Sequence, residues 1–390
     1  MAGAYKKIVF ICYLPLTDKI IDNFYFKSLL DNGLSVEYWD VSDMYFKHIK
    51  FENKTYDFKE IIKKINTLKE FQKKLLSQDL RKTIFVPIIT FEYRVLDLFR
   101  LLSKYKCILF FFSRGLLPTQ IKGTGLINKI LNKKKLFFSS AWIITFMLNR
   151  IALLCKKIKI IKPYDLVFCA GQKSVDIYKM ESKVIPINYF DYDDYLTISK
   201  GTIPPILNAR YCVFLDDHIV GDSDYKISEI EELDPSKYYK SINEFFSLIE
   251  EKLKVEVVIA AHPKSNYINN EFEGRKIFKN MSNALVKDCS FAITHYSSSL
   301  SYAVCYNKPL IFIYNEEIKK KPYYCFIKTL AEYLDSSICN MEKIKHITIK
   351  PINMRRYSNY KYEYLTSKST ESVCSREIVT DLLLNYQINN

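Results

Sequence analysis

The sequence predicts an α/β chain of two domains, each a parallel sheet covered on both faces by helices. Three observations lead there. A chain of 390 residues is longer than one ordinary core fills. Its 48% hydrophobic and 15% aromatic residues describe a packed globular protein rather than a disordered one. Short apolar runs alternate with helical stretches, and the alternation stops once and restarts, as two βα sheets in series require.

In chain order, "KIVFICYL" reads as a strand, followed by a helix over about 18–32 closed by Gly33. "LSVEYWDV" is the next strand, followed by a Lys-rich amphipathic stretch near 57–80. "KTIFVPII" is a strand, 91–104 a helix and "KCILFFFS" a strand. The loop "RGLLPTQIKGTG" then breaks the pattern. "YDLVFCAG", a helix over 172–181 and "KVIPI" complete the first domain, 1–190. The polar stretch 191–209, with Gly201 and Pro204-Pro205, reads as the linker. The second domain, 210–390, opens on the strand "YCVFLDD". A helix over 235–254 with proline in its first turn follows, then the strand "VEVVIAAHP". A helix near 281–287, the strand "CSFAITHY", a helix over 298–307 and the strand "KPLIFIY" continue the order. The last helix of the chain is expected to pack back on the first domain.

Lys plus Arg outnumber Asp plus Glu by 58 to 43, so anionic partners are favoured: phosphorylated small molecules, an anionic membrane surface or nucleic acid. No nucleic-acid-binding signature accompanies the charge, and nucleic acid is not expected as a partner. The ten cysteines include no C-x-x-C pair, and most sit in apolar runs. They read as small buried hydrophobes of a reducing, cytoplasmic compartment, not as a metal site or disulfide frame. The N-terminus runs straight into a strand pattern, with no signal peptide expected. The segment 136–155, "LFFSSAWIITFMLNRIALLC", is about long enough to span a bilayer. Asn149 and Arg150 interrupt it, which favours a buried or surface-docked helix. Its basic flanks suit an anionic leaflet.

Three chemical groups fall at the carboxyl ends of predicted strands in the second half, the edge where open α/β sheets hold ligands. They are "FLDDH" (214–218), "AAHPK" (260–264) and "THYSSS" (294–299), and they include three of the five histidines. A carboxylate of Asp216-Asp217 facing a cleft can take a proton from an attacking hydroxyl; the plainer alternative is an aspartate capping a turn. His262, fixed by Pro263, can donate to a phosphate and offset leaving-group charge, or it is a polar turn residue. Ser297, Ser298 and Ser299 stand where a helix is expected to begin, so their hydroxyls and free N–H groups can cradle an anion. One serine would serve as an N-cap; three exceed that need. No G-x-S-x-G accompanies them, which disfavours a serine nucleophile. "DSD" at 222–224 and "DYDD" at 191–194 are too short to define a metal motif. Gly123-Thr124-Gly125 lacks the third glycine of a dinucleotide fingerprint.

Taken in order, the acidic pair, the His-Pro and the serine run resemble the motifs of bacterial GT-B sialyltransferases and polysialyltransferases. Capsule-type Kdo transferases share the His-Pro and serine features. The resemblance covers about 210–315. It implies a GT-B fold, two Rossmann-like domains facing across a cleft, with the acceptor held by the first. It implies a CMP-activated donor of a 2-keto sugar acid: sialic acid, another nonulosonic acid, or Kdo. The acceptor would be a cell-surface glycan or glycolipid of capsule or lipopolysaccharide. Asp216 would match the general base, with Asp217 beside it. His262 would bind the CMP phosphate and assist its departure, with Pro263 and Lys264 alongside. Ser297, Ser298 and Ser299 would hold that phosphate, with His295 and Tyr296 in the donor pocket. No metal or other cofactor is implied. His218 stands where the family has glycine, which leaves open which of Asp216, Asp217 and His218 acts on the proton. Teichoic-acid glycerophosphotransferases share a His-Pro and a "Y-S-S" strand end, and they too release CMP, from CDP-glycerol. UDP-sugar GT-B transferases form a third class. Arg114, after "CILFFFS", is the acceptor-side candidate. The expected site of action is the cytoplasm, with peripheral contact on the inner membrane face.

Overall fold

The computed structural model describes residues 7–46, 58–118, 140–199, 201, 204–220 and 231–386. The chain divides into two compact units: residues 1–114, 123–188 and 369–390 form the first, and 115–122 with 189–368 the second.

The first unit carries β1 (Lys7–Cys12), β2 (Ser35–Asp40), β3 (Ile62–Lys64), β4 (Thr83–Pro87), β5 (Ile108–Ser113), β6 (Leu166–Ala170) and β7 (Lys183–Ile187). These pair in the order β3-β2-β1-β4-β5-β6-β7, all parallel. The period-2 alternation of a strand sends successive side chains to opposite faces. Ile8, Phe10 and Cys12 accordingly join one core, while Val9 and Ile11 join another. Both faces are therefore buried, as the near-continuous apolar runs require. Val379 and Leu383, from the last helix, Ser375–Asn385, complete the first of these cores. Asn188 is tied to the same segment: its N–H donates to Ser375 Oγ at 2.8 Å and its side-chain amide to the Val373 carbonyl at 2.8 Å.

Two local expectations change. The helix expected over 18–32 is two pieces, Asp18–Asn23 and Phe26–Asp31, parted by Tyr25 in the left-handed region (φ 61°). The Lys-rich stretch near 57–80 holds the short edge strand β3 as well as the helix Leu68–Leu76. Three strand residues with lysine at two of them leave no apolar run to read.

The second unit carries β8 (Tyr211–Leu215), β9 (Glu256–Ala261), β10 (Ile277–Lys279), β11 (Ala292–Thr294), β12 (Leu310–Tyr314) and β13 (Ser337–Asn340), in the order β10-β9-β8-β11-β12-β13, again all parallel. Each sheet winds outward from its first strand in both directions, the doubly wound Rossmann-like order, with the switch point beside that first strand. In the second unit the switch lies between β8 and β11. The helix Pro235–Leu253 follows β8. Asp234 caps it, accepting from the N–H groups of Ser236 and Lys237, and Pro235 occupies the first turn. Such a cap contributes about 1 kcal/mol. The helix buries Tyr238, Ile242, Phe245, Phe246 and Ile249 and ends at Lys254 in the left-handed region.

The stretch expected as a linker begins differently. Residues Phe190–Ser199 form a helix within the second unit, with Tyr192 and Leu196 buried. Asp194 accepts from the Tyr302 hydroxyl at 3.0 Å, so this acidic run has a structural partner. The patterns at 123–125 and 222–224 lie outside the described residues.

Candidate active site

The site is built on three adjacent strands, β9, β8 and β11, with β8 in the middle. Its acidic pair reaches both neighbours. Asp216 is 5% exposed and its carboxylate is filled by protein donors. Oδ1 accepts from the His218 N–H at 2.8 Å; Oδ2 accepts from the His262 N–H at 3.0 Å and from the Tyr267 hydroxyl at 2.6 Å. The first bond closes a turn that holds His218 at φ 51°, a left-handed conformation histidine tolerates better than most residues. The second joins the end of β8 to the end of β9.

Asp217 turns the other way, as adjacent residues of an extended chain must. Its Oδ2 accepts the N–H groups of His295 and Tyr296, each at 3.1 Å, which joins β8 to β11 across the switch point. Burial, and the charge of Asp216 beside it, push the Asp217 carboxyl up to about 8 against the opposing pull of those N–H donors.

His262 begins a tight turn: its carbonyl accepts the Ser265 N–H at 2.9 Å and the Ser265 hydroxyl at 2.7 Å. Its Nδ1 accepts the Lys264 N–H at 3.2 Å. Nδ1 is therefore unprotonated in the neutral ring, and Nε2 carries the proton. Pro263 and the Lys264 side chain are exposed at the tip of this turn. The His218 ring lies parallel to that of His262, within 5° and with 5.8 Å between centroids. Nδ1 of His218 is buried and makes no hydrogen bond among the described residues.

The serine run differs in detail from the expected helix start. The helix is Leu300–Cys305, only six residues, and the carbonyls of Ser297, Ser298 and Ser299 accept i+3 bonds at 3.1 Å each. So short a helix carries little dipole, and the local N–H groups and hydroxyls become the relevant donors. Ser297 donates its N–H to Thr294 Oγ1 at 3.1 Å. The N–H groups of Ser298 and Ser299, and all three serine hydroxyls, make no hydrogen bond among the described residues. Ser299 is the N-cap residue yet makes no capping bond, so the ordinary structural use of such serines is not made here. Tyr296 is partly exposed and stands 5.6 Å from the Tyr323 ring and 6.4 Å from Phe326.

Two expected site residues are held by protein partners. His295 has no exposed surface. Its Nδ1 lies 2.7 Å from the Ile313 carbonyl and its Nε2 lies 3.0 Å from the Tyr238 hydroxyl. A carbonyl only accepts, so Nδ1 holds the proton and Nε2 receives the tyrosine's. Burial lowers the imidazole to about 4, which keeps it neutral. His295 therefore ties β11 to β12 and to the helix Pro235–Leu253 rather than lining a donor pocket. Arg114 is committed within the first unit: Nη1 donates to the Asn23 carbonyl at 3.1 Å, Nη2 to the Tyr25 hydroxyl, and the guanidinium lies over the Tyr25 and Phe112 rings. It braces the break between the first two helices.

Sequence reading missed Tyr267, Tyr238 and Thr294. Tyr267 follows a turn that no period marks. Thr294 sits inside the stretch that drew attention, hidden by the more reactive residue types after it.

No family model matches the chain, and no curated protein matches it. Solved structures do resemble it in fold. A variant of the wall teichoic acid polymerase TagF aligns over 97% of this chain and 88% of its own, at 12% identity and TM-score 0.50. The Medicago truncatula protein UGT71G1, complexed with UDP-glucose, aligns over 97% and 98% at 11% identity and TM-score 0.49. The calicheamicin glycosyltransferase CalG4 aligns over 97% and 94% at 9% identity and TM-score 0.47. The two sheets, of seven and six parallel strands among the described residues, together with the likeness to TagF give the chain the GT-B fold of two Rossmann-like domains.

Proposed function

We propose that the chain is a glycosyltransferase that moves a 2-keto sugar acid, a nonulosonic acid or Kdo, from a CMP-activated donor to a cell-surface glycan. The observation that supports the reading is the group of unspent donors at the β11 end, three hydroxyls and the N–H groups of Ser298 and Ser299, on the same sheet edge as His262. Such donors suit a phosphate oxygen that gains charge as the glycosidic bond breaks. His262 then donates to the departing phosphate and Ser297–Ser299 hold it, with no metal in the reading.

The base is assigned to His218. Asp216 has both oxygens filled and acts as a positioning residue that sets His218 and His262. Asp217 is occupied by two N–H donors. His218 Nδ1 makes no hydrogen bond among the described residues. Its imidazole takes the acceptor hydroxyl's proton as the new bond forms. The acceptor is assigned to the first unit, and the reaction to the cytoplasmic side of the membrane.

A second reading, glycerophosphate transfer from CDP-glycerol, uses the same leaving nucleotide and the same cradle. The likeness in fold to TagF keeps it in view. Donor hydrolysis separates the readings. CMP-sialic acid and CMP-Kdo are expected to release CMP, equally with and without a chelator. CDP-glycerol as the one hydrolysed donor favours the second reading. Turnover of UDP-glucose alone overturns both.

A further inference from the structure

The helix Ser140–Lys157 turns an apolar stripe away from its own domain. Ile144, Met147, Ile151, Leu154 and, just past the helix, Ile158 recur in steps of three and four, and each is 52–59% exposed. At 100° per residue they share an arc of about 80° over a length of about 21 Å. The opposite arc anchors the helix, although Leu153 on that side is also 51% exposed. Ala152 is buried there, and Asn149 Oδ1 accepts the Tyr93 N–H at 2.9 Å. The Lys156 ammonium lies 5.2 Å from the Tyr164 ring centre and 5.7 Å from those of Phe91 and Tyr178. The helix therefore cannot roll its apolar stripe inward without breaking these contacts.

An amphipathic helix fixed with its apolar side outward needs a cover. The surrounding charge says which. From residue 115 to residue 164 there is no Asp or Glu, against ten Lys and Arg. Arg150, Lys157 and Lys159 are exposed on or just beyond this helix. Two copies of so basic a segment repel each other, which argues against a second chain as the cover. An anionic bilayer offers both an apolar interior for the stripe and phosphates for its rim. No helix among the described residues is long and apolar enough to cross a membrane; a helix of this kind on a bilayer would lie in the interface plane.

We propose that this face docks the protein on an anionic lipid surface. The inference does not depend on the donor, so either can fail without the other. The test is co-sedimentation of the full chain with vesicles of phosphatidylglycerol and phosphatidylcholine in equal parts, and with phosphatidylcholine alone. The wild type is expected to sediment with the anionic vesicles and poorly with the neutral ones. The double variant Met147→Glu, Leu154→Glu is expected to lose roughly tenfold or more of the bound fraction, because charged residues replace buried apolar ones in the interface. Its far-UV circular dichroism should match the wild type, since both positions are exposed. Lys157→Glu should weaken binding less, and only at low salt. Absence of wild-type binding to anionic vesicles overturns the proposal, as does undiminished binding of the double variant. A dimer in vesicle-free solution that the double variant abolishes also overturns it, in favour of a second copy.

Discussion

The two sheets share one winding order and differ in what stands at their strand ends. In the first, β1 ends at Cys12, whose thiol donates to the Ile88 carbonyl, and β4 ends at Pro87. β2 ends at Asp40, which accepts the Ser42 N–H at 3.0 Å and serves its own turn. In the second, β8 ends in two carboxylates that reach past their own strand to both neighbours. The first edge is crossed by a thiol and otherwise serves its own turn, while the second is clasped to both neighbouring strands by carboxylates. A Rossmann-like order thus supplies the edge, and only particular residues convert it into a site.

The largest way to break this contrast is to remove the group it exists to present. His262→Ala is expected to lower kcat for donor cleavage by about a hundredfold to a thousandfold. Stability should change little, because its structural bonds are mainly backbone ones. A kcat near wild type would mean that the edge is ordinary structure.

Asp216→Asn sharpens the difference between positioning and proton transfer. An amide cannot accept all three of the present donors, so a loss of about 2–3 kcal/mol of stability is expected in denaturant unfolding. Activity should fall while the acidic limb of the pH–rate profile stays in place. Disappearance of that limb would make Asp216 the base after all.

A third test uses pH. The His295 imidazole is lowered in the fold, from 6.5 to about 4, so its contribution is present above 6.5 and lost as pH falls through 4. The Asp217 carboxyl is raised, from 3.8 to about 8, so its contribution is present at low pH and lost as pH rises through 8. Between pH 6.5 and 4 the two slopes oppose. His295→Gln should gain stability relative to the wild type on acidification across that window, by on the order of 3 kcal/mol. Parallel stability curves for the two proteins would contradict the buried neutral histidine. The smallest effect belongs to Ser298→Ala, one exposed donor among several. A rise of a few-fold in donor KM is expected, from about 1 kcal/mol of lost hydrogen bonding.

Much of the frame was legible in the sequence because apolar runs such as "KIVFIC" and "VVIAA" leave no other use for themselves than a buried parallel strand. The three strand-end groups were legible for a related reason: Asp, His and Ser directly after such runs stand out. Roles were less legible than places. Whether His295 faces a ligand or the core depends on Tyr238, 57 residues away, and on the Ile313 carbonyl, which no local pattern encodes. The partners of Asp216, backbone N–H groups and Tyr267, are invisible until the turns close. Short edge strands such as β10 and β13 carry too few apolar residues to announce themselves.

Binding of a nucleotide phosphate at the β9–β8–β11 edge is measured most directly by isothermal titration of the wild type and His262→Ala with CMP and UDP. CMP is expected to bind the wild type, His262→Ala to weaken it at least about tenfold, and UDP to bind poorly. Equal CMP affinity in the two proteins, or binding of UDP without CMP, would contradict it.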